Sequence, residues 1–394
     1  MTAKITRVRA GQASAVGPDP DAAAADAAGR VREALEGRAP DLAVVFIGAA
    51  YAPAAEAVRD RIADTLAPAH LIGTTSGAGV IAAGREIEDV AGLSLWGACL
   101  PGAELTPLRY EPPRERAGEG PDDELGWQPP PEQAKALLLL ADPFSFPADG
   151  FLAWIDQARP GLPVSGGLAS VGASGRNRLL LDDAVHTGGA VAVAVGGDVH
   201  LRTLVSQGCR PIGGTYVVTR ADRNLLQELG GQPPIERIQE VFAEADPSER
   251  ELIRGGLHIG TVIDEYRDEF GRGDFLVRGV LGADPGSGAI AVGDVVRVGQ
   301  TVRFHVRDAA SADEDLRELL DDFARSGPAD AALLFSCNGR GTRLFGRPDH
   351  DASLVRHSLG DLPLAGFFCA GEFGPVGPRS FLHGFTASIL AFAS

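Results

Sequence analysis

The sequence predicts a mixed α/β protein of two lobes, with mixed β-sheets flanked by helices and built from a repeated β-α-β-loop-β unit. Three observations carry this expectation. The chain has 394 residues, more than the roughly 250–300 at which a single core stops growing. Hydrophobic residues make up 44% and charged residues 23%, a balance that permits extensive burial. Finally, one order of apolar runs, helical spacings and Gly-rich turns recurs three times along the chain.

After a mobile start over 1–20, Asp21 to Glu36 reads as an Ala-rich helix. Leu42 to Ile47 is an apolar run of strand length. Ala55, Val58, Ile62 and Leu66 share one helical face, and His70-Leu-Ile72 leads into the Gly-rich segment Gly73 to Gly79. Val90 to Leu95 is the next strand. The second copy uses Ala136 to Leu140, the helix Phe151 to Ala158, Leu162 to Val164 entering Ser165 to Gly172, and Gly189 to Val195. The third uses Ala331 to Phe335, Asp351 to Leu359, Leu362 to Leu364 entering Ala365 to Glu372, and Phe385 to Phe392. Between copies two and three, Thr215–Thr219, His258–Ile263, Phe275–Val280, Val295–Val298 and Thr301–Val306 read as short antiparallel strands broken by Asp284-Pro-Gly and Gly293-Asp turns. Helices are expected at Ile235–Phe242 and Ala312–Phe323, and a linker or long loop at Pro112–Gln133.

Composition narrows the function classes. The formal net charge is −17, which argues against nucleic acid and anionic membranes as partners. No apolar run approaches the roughly 20 residues needed to span a bilayer. The first ten residues are polar and lack an export-signal core, so the expected compartment is the cytoplasm. Lysine occurs only at Lys4 and Lys135; that Arg bias is the coding habit of a GC-rich bacterial genome. The four cysteines, Cys99, Cys209, Cys337 and Cys369, form no C-x-x-C pair. Neither a structural metal site nor a disulfide framework is expected, and no cofactor motif is present.

The most specific segments are Leu334-Phe-Ser-Cys337-Asn-Gly-Arg340-Gly341, Pro363-Leu-Ala-Gly366-Phe-Phe-Cys369-Ala-Gly371-Glu372-Phe-Gly374-Pro375 and Leu382-His383-Gly384-Phe385-Thr386. Together they resemble the signatures of the FIST C-terminal domain, with Phe373 replacing the Ile of a Gly-Glu-Ile-Gly pattern. Gly208-Cys209-Arg210-Pro211-Ile212-Gly213 resembles a further segment of the family. Leu71-Ile-Gly73-Thr74-Thr75-Ser76-Gly77 is similar to the FIST N-terminal domain. The resemblance implies an N-terminal segment and helix over 1–39, a FIST N-terminal domain over 40–205 and a FIST C-terminal domain over 206–394. The last divides into a β-rich portion at 206–310 and an α/β portion at 311–394. It also implies a sensory, signal-transduction role through a small-molecule ligand, with amino acids or related metabolites as the proposed class, and a signalling protein as a partner.

Cys337, Asn338, Gly339, Arg340 and Gly341 follow an apolar strand, where open α/β sheets bind ligands. The glycines let the backbone present N–H donors, and Arg340 suits a carboxylate. Gly371 and Glu372 follow the neighbouring strand, so Arg340 and Glu372 could grip the two ends of a zwitterion, or pair with each other. Thr74 and Thr75 belong to a Gly-rich segment without the Lys of a P-loop. That segment either lines the same pocket or packs backbones closely. His383 opens the last strand as a ligand contact or a structural hydrogen bonder. Two alternatives stay open: an enzyme using Cys337 as nucleophile in acyl or thiol transfer, and an interaction scaffold.

Overall fold

Apolar runs such as Leu42–Gly48 and Ala331–Cys337 are buried at every position, because both faces of their sheets are covered. The computed structural model describes residues 7–111, 126–267 and 269–394. Of the expected mobile start and linker, 1–6 and 112–125 lie outside the described residues. The chain separates into two compact units. One takes the described residues up to Val205, with Arg317–Leu382 and Thr386–Ser394; the other takes Ser206–Leu316 and His383–Phe385. Most of the 311–394 portion therefore shares a unit with the N-terminal half of the chain.

The first unit carries three six-stranded sheets. In spatial order, sheet one is β1 (Arg9–Val16), β6 (Gly92–Cys99), β2 (Leu42–Gly48), β3 (His70–Ser76), β10 (Leu179–Leu181) and β11 (Ala184–His186). Sheet two is β23 (Arg379–His383), β22 (Glu372–Val376), β9 (Val164–Leu168), β8 (Ala134–Ala141), β12 (Ala190–Gly197) and β7 (Ala103–Tyr110). Sheet three is β13 (His200–Gln207), β24 (Thr386–Ala393), β20 (Ala331–Cys337), β21 (Leu364–Cys369), β4 (Val80–Ala82) and β5 (Arg85–Ile87).

The three sheets share one plan. The first two strands of each repeat run parallel, and the first and third run antiparallel. Each sheet is completed by a hairpin from a different repeat. The β4–β5 hairpin of repeat one pairs with β21 of repeat three. The β10–β11 hairpin of repeat two pairs with β3 of repeat one, and β22 of repeat three pairs with β9 of repeat two. Separately, the Val8 N–H donates to Ser394 Oγ at 2.8 Å.

Alternate residues of the first strands explain the burial. Leu42, Val44, Phe46, Leu138, Leu140, Leu333 and Phe335 meet in one core shared by all three sheets, where Phe46 stacks on Phe367 at 5.0 Å. The intervening Ala43, Val45 and Ile47 pack under helices α1 (Pro20–Ala34) and α2 (Ala55–Leu66), and Leu137, Leu139 and Ala141 under α3 (Ala148–Ala158).

The Gly-rich segments, expected as loops after short strands, are instead the second strands themselves. Gly73, Gly166 and Gly366 sit in register with Val45, Leu139 and Leu334 of the first strands. A Cβ there would lie 2.5, 1.9 and 1.9 Å from those residues' carbonyl oxygens. The glycines are a requirement of close strand passage, repeated three times.

In the second unit β14 (Cys209–Asp222), β15 (Leu225–Leu229), β18 (Ile290–Val292), β17 (Phe275–Ala283), β16 (Leu257–Val262) and β19 (Thr301–Arg307) close into a barrel. Ile212, Val218, Leu226, Ile290 and Phe304 belong to its core. Helices α4 (Pro234–Glu244) and α5 (Pro247–Gly255) fall within this unit, and α6 (Ala309–Arg325) follows β19. Val295–Val298, expected as a strand, lies outside any strand, with Val295 and Val298 exposed. The strand there is Ile290–Val292, ended by the Gly293-Asp294 turn; beyond it Val296 is buried in the barrel core and its N–H donates to the Arg223 carbonyl at 2.8 Å, outside any strand.

Replacing Gly366 with Ala should therefore destabilise the protein by about 3 kcal/mol, since backbone must move to admit the methyl group. Gly29→Ala, in α1 with no atom within 4 Å of the new Cβ, should stabilise it by about 0.5–1 kcal/mol. Urea unfolding of both variants checks the contrast.

Candidate functional site

Repeat three collects charged side chains at its strand ends. Strand β20 ends in Ser336 and Cys337, and Cys337 lies opposite Cys369 in the parallel register of β21. The chain then turns through Asn338–Gly341. The Asn338 N–H donates to the Cys369 carbonyl and the Arg340 N–H to the Cys337 carbonyl, each at 2.8 Å. Gly341 has φ +61°, and a Cβ there would lie 2.8 Å from the Glu88 carboxylate. That carboxylate accepts the Thr342 N–H at 3.0 Å and its hydroxyl at 2.8 Å. Two further helices follow, α7 (Thr342–Phe345) and α8 (His350–Leu359).

Arg340 is only 1% exposed and Asp351 is fully buried. Arg340 Nε donates to Asp351 Oδ2 at 2.7 Å and Nη2 donates to Oδ1 at 2.8 Å, a two-point ion pair of the strong kind. The Ser336 hydroxyl reaches Oδ2 at 2.8 Å, and His350 Nδ1 is 2.9 Å from Oδ1. Burial alone would raise the Asp351 carboxyl, but the Arg340 charge overrides it and holds the group well below the usual carboxylate range. Burial likewise opposes the Arg340 charge, which Asp351 restores, aided by Cys337 and Glu372 nearby. Arg340 Nη1 is buried without a hydrogen-bond partner among the described residues. Removing one member of such a pair costs about 3–5 kcal/mol, because the other charge stays buried.

Glu86 arrives from the exchanged hairpin of repeat one. Its Oε1 accepts the N–H groups of Asp351 at 2.8 Å and Ala352 at 3.1 Å, in the first turn of α8, where backbone donors lack intrahelical partners. The Glu86 N–H in turn donates to Asp349 Oδ1 at 2.6 Å. Its other oxygen, Oε2, is buried without a hydrogen-bond partner among the described residues. Burial, reinforced by the Asp351 charge, pushes its pKa up to about 8, so Glu86 keeps its proton at neutral pH.

The residues singled out in the sequence are distributed as follows. Cys337, Arg340 and Glu372 share one charged neighbourhood. The carboxylate that Arg340 grips is Asp351, rather than Glu372 or the carboxylate of a zwitterion, because α8 starts immediately over the strand end. Glu372 is fully buried, and its Oε2 accepts the Thr386 hydroxyl at 2.8 Å. Asn338 and Gly339 are half-buried and Gly341 is buried. The Gly371 carbonyl accepts the Leu168 N–H at 2.8 Å. Thr74 and Thr75 are fully buried within β3, and Thr75 Oγ1 accepts the Arg178 N–H at 2.9 Å. His383 is buried and belongs to the second compact unit. The ends of the three second strands do meet, but in close contact: the Ser76 and Ser170 hydroxyls both donate to the Phe368 carbonyl, at 3.0 and 2.6 Å. A Cβ on Gly77 would lie 2.1 Å from the Ser170 carbonyl oxygen.

Sequence reasoning missed Asp351, Glu86 and Ser336. It also missed a hollow of about 380 Å³ beside α8, whose lining includes His350, Arg317, Arg347, Arg356 and His357. His350, whose side chain is only 1% exposed, thus backs the wall of this hollow from within the buried cluster. The equivalent strand ends carry no such chemistry. Repeat one continues Gly48-Ala-Ala-Tyr51, and repeat two continues Asp142-Pro-Phe-Ser145, without a cation.

A model of the FIST N domain matches residues 41–232, and a model of the FIST C domain matches 234–375. An uncharacterized protein of Mycobacterium tuberculosis strain H37Rv is 44% identical over 388 residues, spanning 98% of this chain and 100% of its own length. An uncharacterized protein of Mycobacterium bovis is 44% identical over 378 residues, spanning 95% of this chain and 96% of its own. The chain belongs to the FIST family, whose domains are associated with sensory signal transduction and small-ligand binding. Among the described residues no helix is long and apolar enough to cross a membrane.

The raised Glu86 pKa has a sign that can be tested. Its ordinary value is 4.5 and its folded value about 8, so the folded state retains a proton that the unfolded chain releases. The stability from Glu86 is complete below its unfolded pKa and is lost as pH rises through the folded one. Glu86→Gln, which cannot ionise, should gain stability relative to the parent between pH 5 and pH 8.5. Parallel thermal-unfolding curves for the two proteins across that range would show that Glu86 does not titrate there.

Proposed function

We propose that this FIST-family chain is a sensory protein that binds a small metabolite in the hollow beside α8. Occupancy is relayed inward to the strand-end cluster of repeat three. One observation carries this reading: His350 lines the hollow while its Nδ1 sits 2.9 Å from Asp351 Oδ1. Asp351 is the carboxylate that neutralises Arg340, and its backbone N–H is held by Glu86. A ligand that shifts His350 therefore acts on a buried pair with little tolerance for misalignment. It also acts on the β4–β5 hairpin that repeat one lends to sheet three, giving a signalling partner a segment whose position depends on the ligand.

The residues recognised in the sequence then act as the receiving end of the relay, with Arg340 at its centre and Cys337, Asn338, Gly339, Gly341, Gly371 and Glu372 around it. Binding is favoured over thiol catalysis. Cys337 is buried, and its neighbour Cys369 has its thiol pushed well up by burial and the Glu372 charge, whereas a nucleophilic cysteine needs surroundings that favour thiolate.

A thermal-shift screen of amino acids, organic acids and phosphate esters tests the reading. A true ligand should raise stability with the logarithm of its concentration, by about 2.7 kcal/mol at a hundredfold excess over Kd. His350→Ala, which leaves the Arg340–Asp351 pair in place, should reduce that gain. A screen in which no compound shifts the transition, with no small molecule found by native mass spectrometry of the purified protein, would contradict it.

A further inference from the structure

We infer that the hollow beside α8 selects a small anion carrying two or more negative charges, a polycarboxylate or a phosphorylated compound, rather than a neutral zwitterion. The inference rests on the sensory reading and narrows its ligand. Arginine side chains reach the hollow from three elements: Arg317 from α6, Arg347 from the turn before α8, and Arg356 from α8 itself, beside the imidazole of His357. One acidic side chain, Asp349, lines it, and Asp349 Oδ1 already accepts the Glu86 N–H. In a chain of net charge −17, three guanidinium groups around one concavity oppose the overall field.

Helix electrostatics explain part of this arrangement. Arg356 and His357 lie in the last turn of α8, where the helix dipole favours cations. Arg317 and Arg347 lie on other elements, so that dipole does not account for them. Nor is Arg356 placed at random: its guanidinium lies against Gly84, where a Cβ would come within 2.7 Å of Nη1. This fixes the group beside the turn of the exchanged hairpin. Planar guanidinium forks match carboxylate and phosphate oxygens two at a time. The volume, about 380 Å³, falls at the small end of ordinary ligand sites and suits a compact anion. A zwitterion's ammonium would meet the same arginines, with Asp349 the one carboxylate of the lining to receive it.

Isothermal titration of the full chain at low salt, with citrate, inorganic pyrophosphate and glycine as separate probes, decides the matter. Citrate or pyrophosphate should bind with one site per chain, and whichever binds more tightly identifies carboxylate or phosphate as the preferred source. Affinity should fall with added salt, as expected for partly exposed charges. Arg347→Gln and Arg356→Gln should each weaken binding about tenfold or more. Arg325→Gln, which removes an exposed cation on α6 outside the hollow, should leave affinity within about twofold. If glycine binds and neither anion does, the inference falls while the sensory reading stands. Equal loss in the Arg325 variant, or no saturation by either anion, would also overturn the inference, by reducing the hollow to a general basic patch.

Discussion

A fully buried guanidinium needs a partner, and the arrangement of repeat three follows from that need. Arg340 sits at the end of a strand whose every residue is buried, so solvent cannot stabilise its charge. Asp351 meets it with two hydrogen bonds from the start of α8. Asp351 in turn requires its own oxygens to be satisfied, which Ser336 and His350 accomplish. Two backbone donors in the first turn of α8 require an acceptor, and Glu86 supplies it. Glu86 stays protonated because a second carboxylate beside Asp351 cannot ionise cheaply in so dry a place. Each group is held by the requirement of the one before it, until the chain of partners reaches His350 at the wall of the hollow.

The exchange of hairpins makes this arrangement possible. Glu86 and Asp351 are 265 positions apart in the chain, yet the β4–β5 hairpin completes the sheet of repeat three as regularly as the other two hairpins complete theirs. Three copies of one strand plan give three equivalent strand ends. Repeat one fills its end with Gly48 and Ala49. Repeat two fills its end with Asp142, whose carboxylate is satisfied locally by Ser145 Oγ at 2.5 Å and Asn177 Nδ2 at 2.7 Å. The charged cluster of repeat three is the departure from this internal repetition, and that departure is why the proposed function is placed there.

Much of the scaffold was legible in the sequence. The first and third strands of each repeat stood out as apolar runs because their sheets are buried on both faces. Helices α2 and α3 stood out through their spacing. The short hairpins did not, since three-residue strands such as Val80–Ala82 and Leu179–Leu181 carry no period long enough to read. The Gly-rich segments were read as loops because glycine usually marks turns, whereas here it marks strands passing within reach of a neighbour's carbonyls. At the site, Cys337, Arg340 and Glu372 were recognisable from their motifs. Their partners were not: Asp351 reads as an ordinary first-turn acid, and Glu86 as one charge in the polar segment Arg85-Glu86-Ile87-Glu88. Only the tertiary pairing of distant repeats turns those two acids into parts of one cluster.

Hydrogen–deuterium exchange read at the Asp351 and Ala352 amides tests the relay most directly, because these two donors end on Glu86 and lie beyond His350 from the hollow. If occupancy is transmitted inward, saturating citrate or pyrophosphate, whichever binds, should slow exchange at these amides and across the β4–β5 hairpin. Protection confined to the exposed residues of α8 and the Arg347 turn, with the amides at 351 and 352 and the hairpin unchanged, would contradict the account.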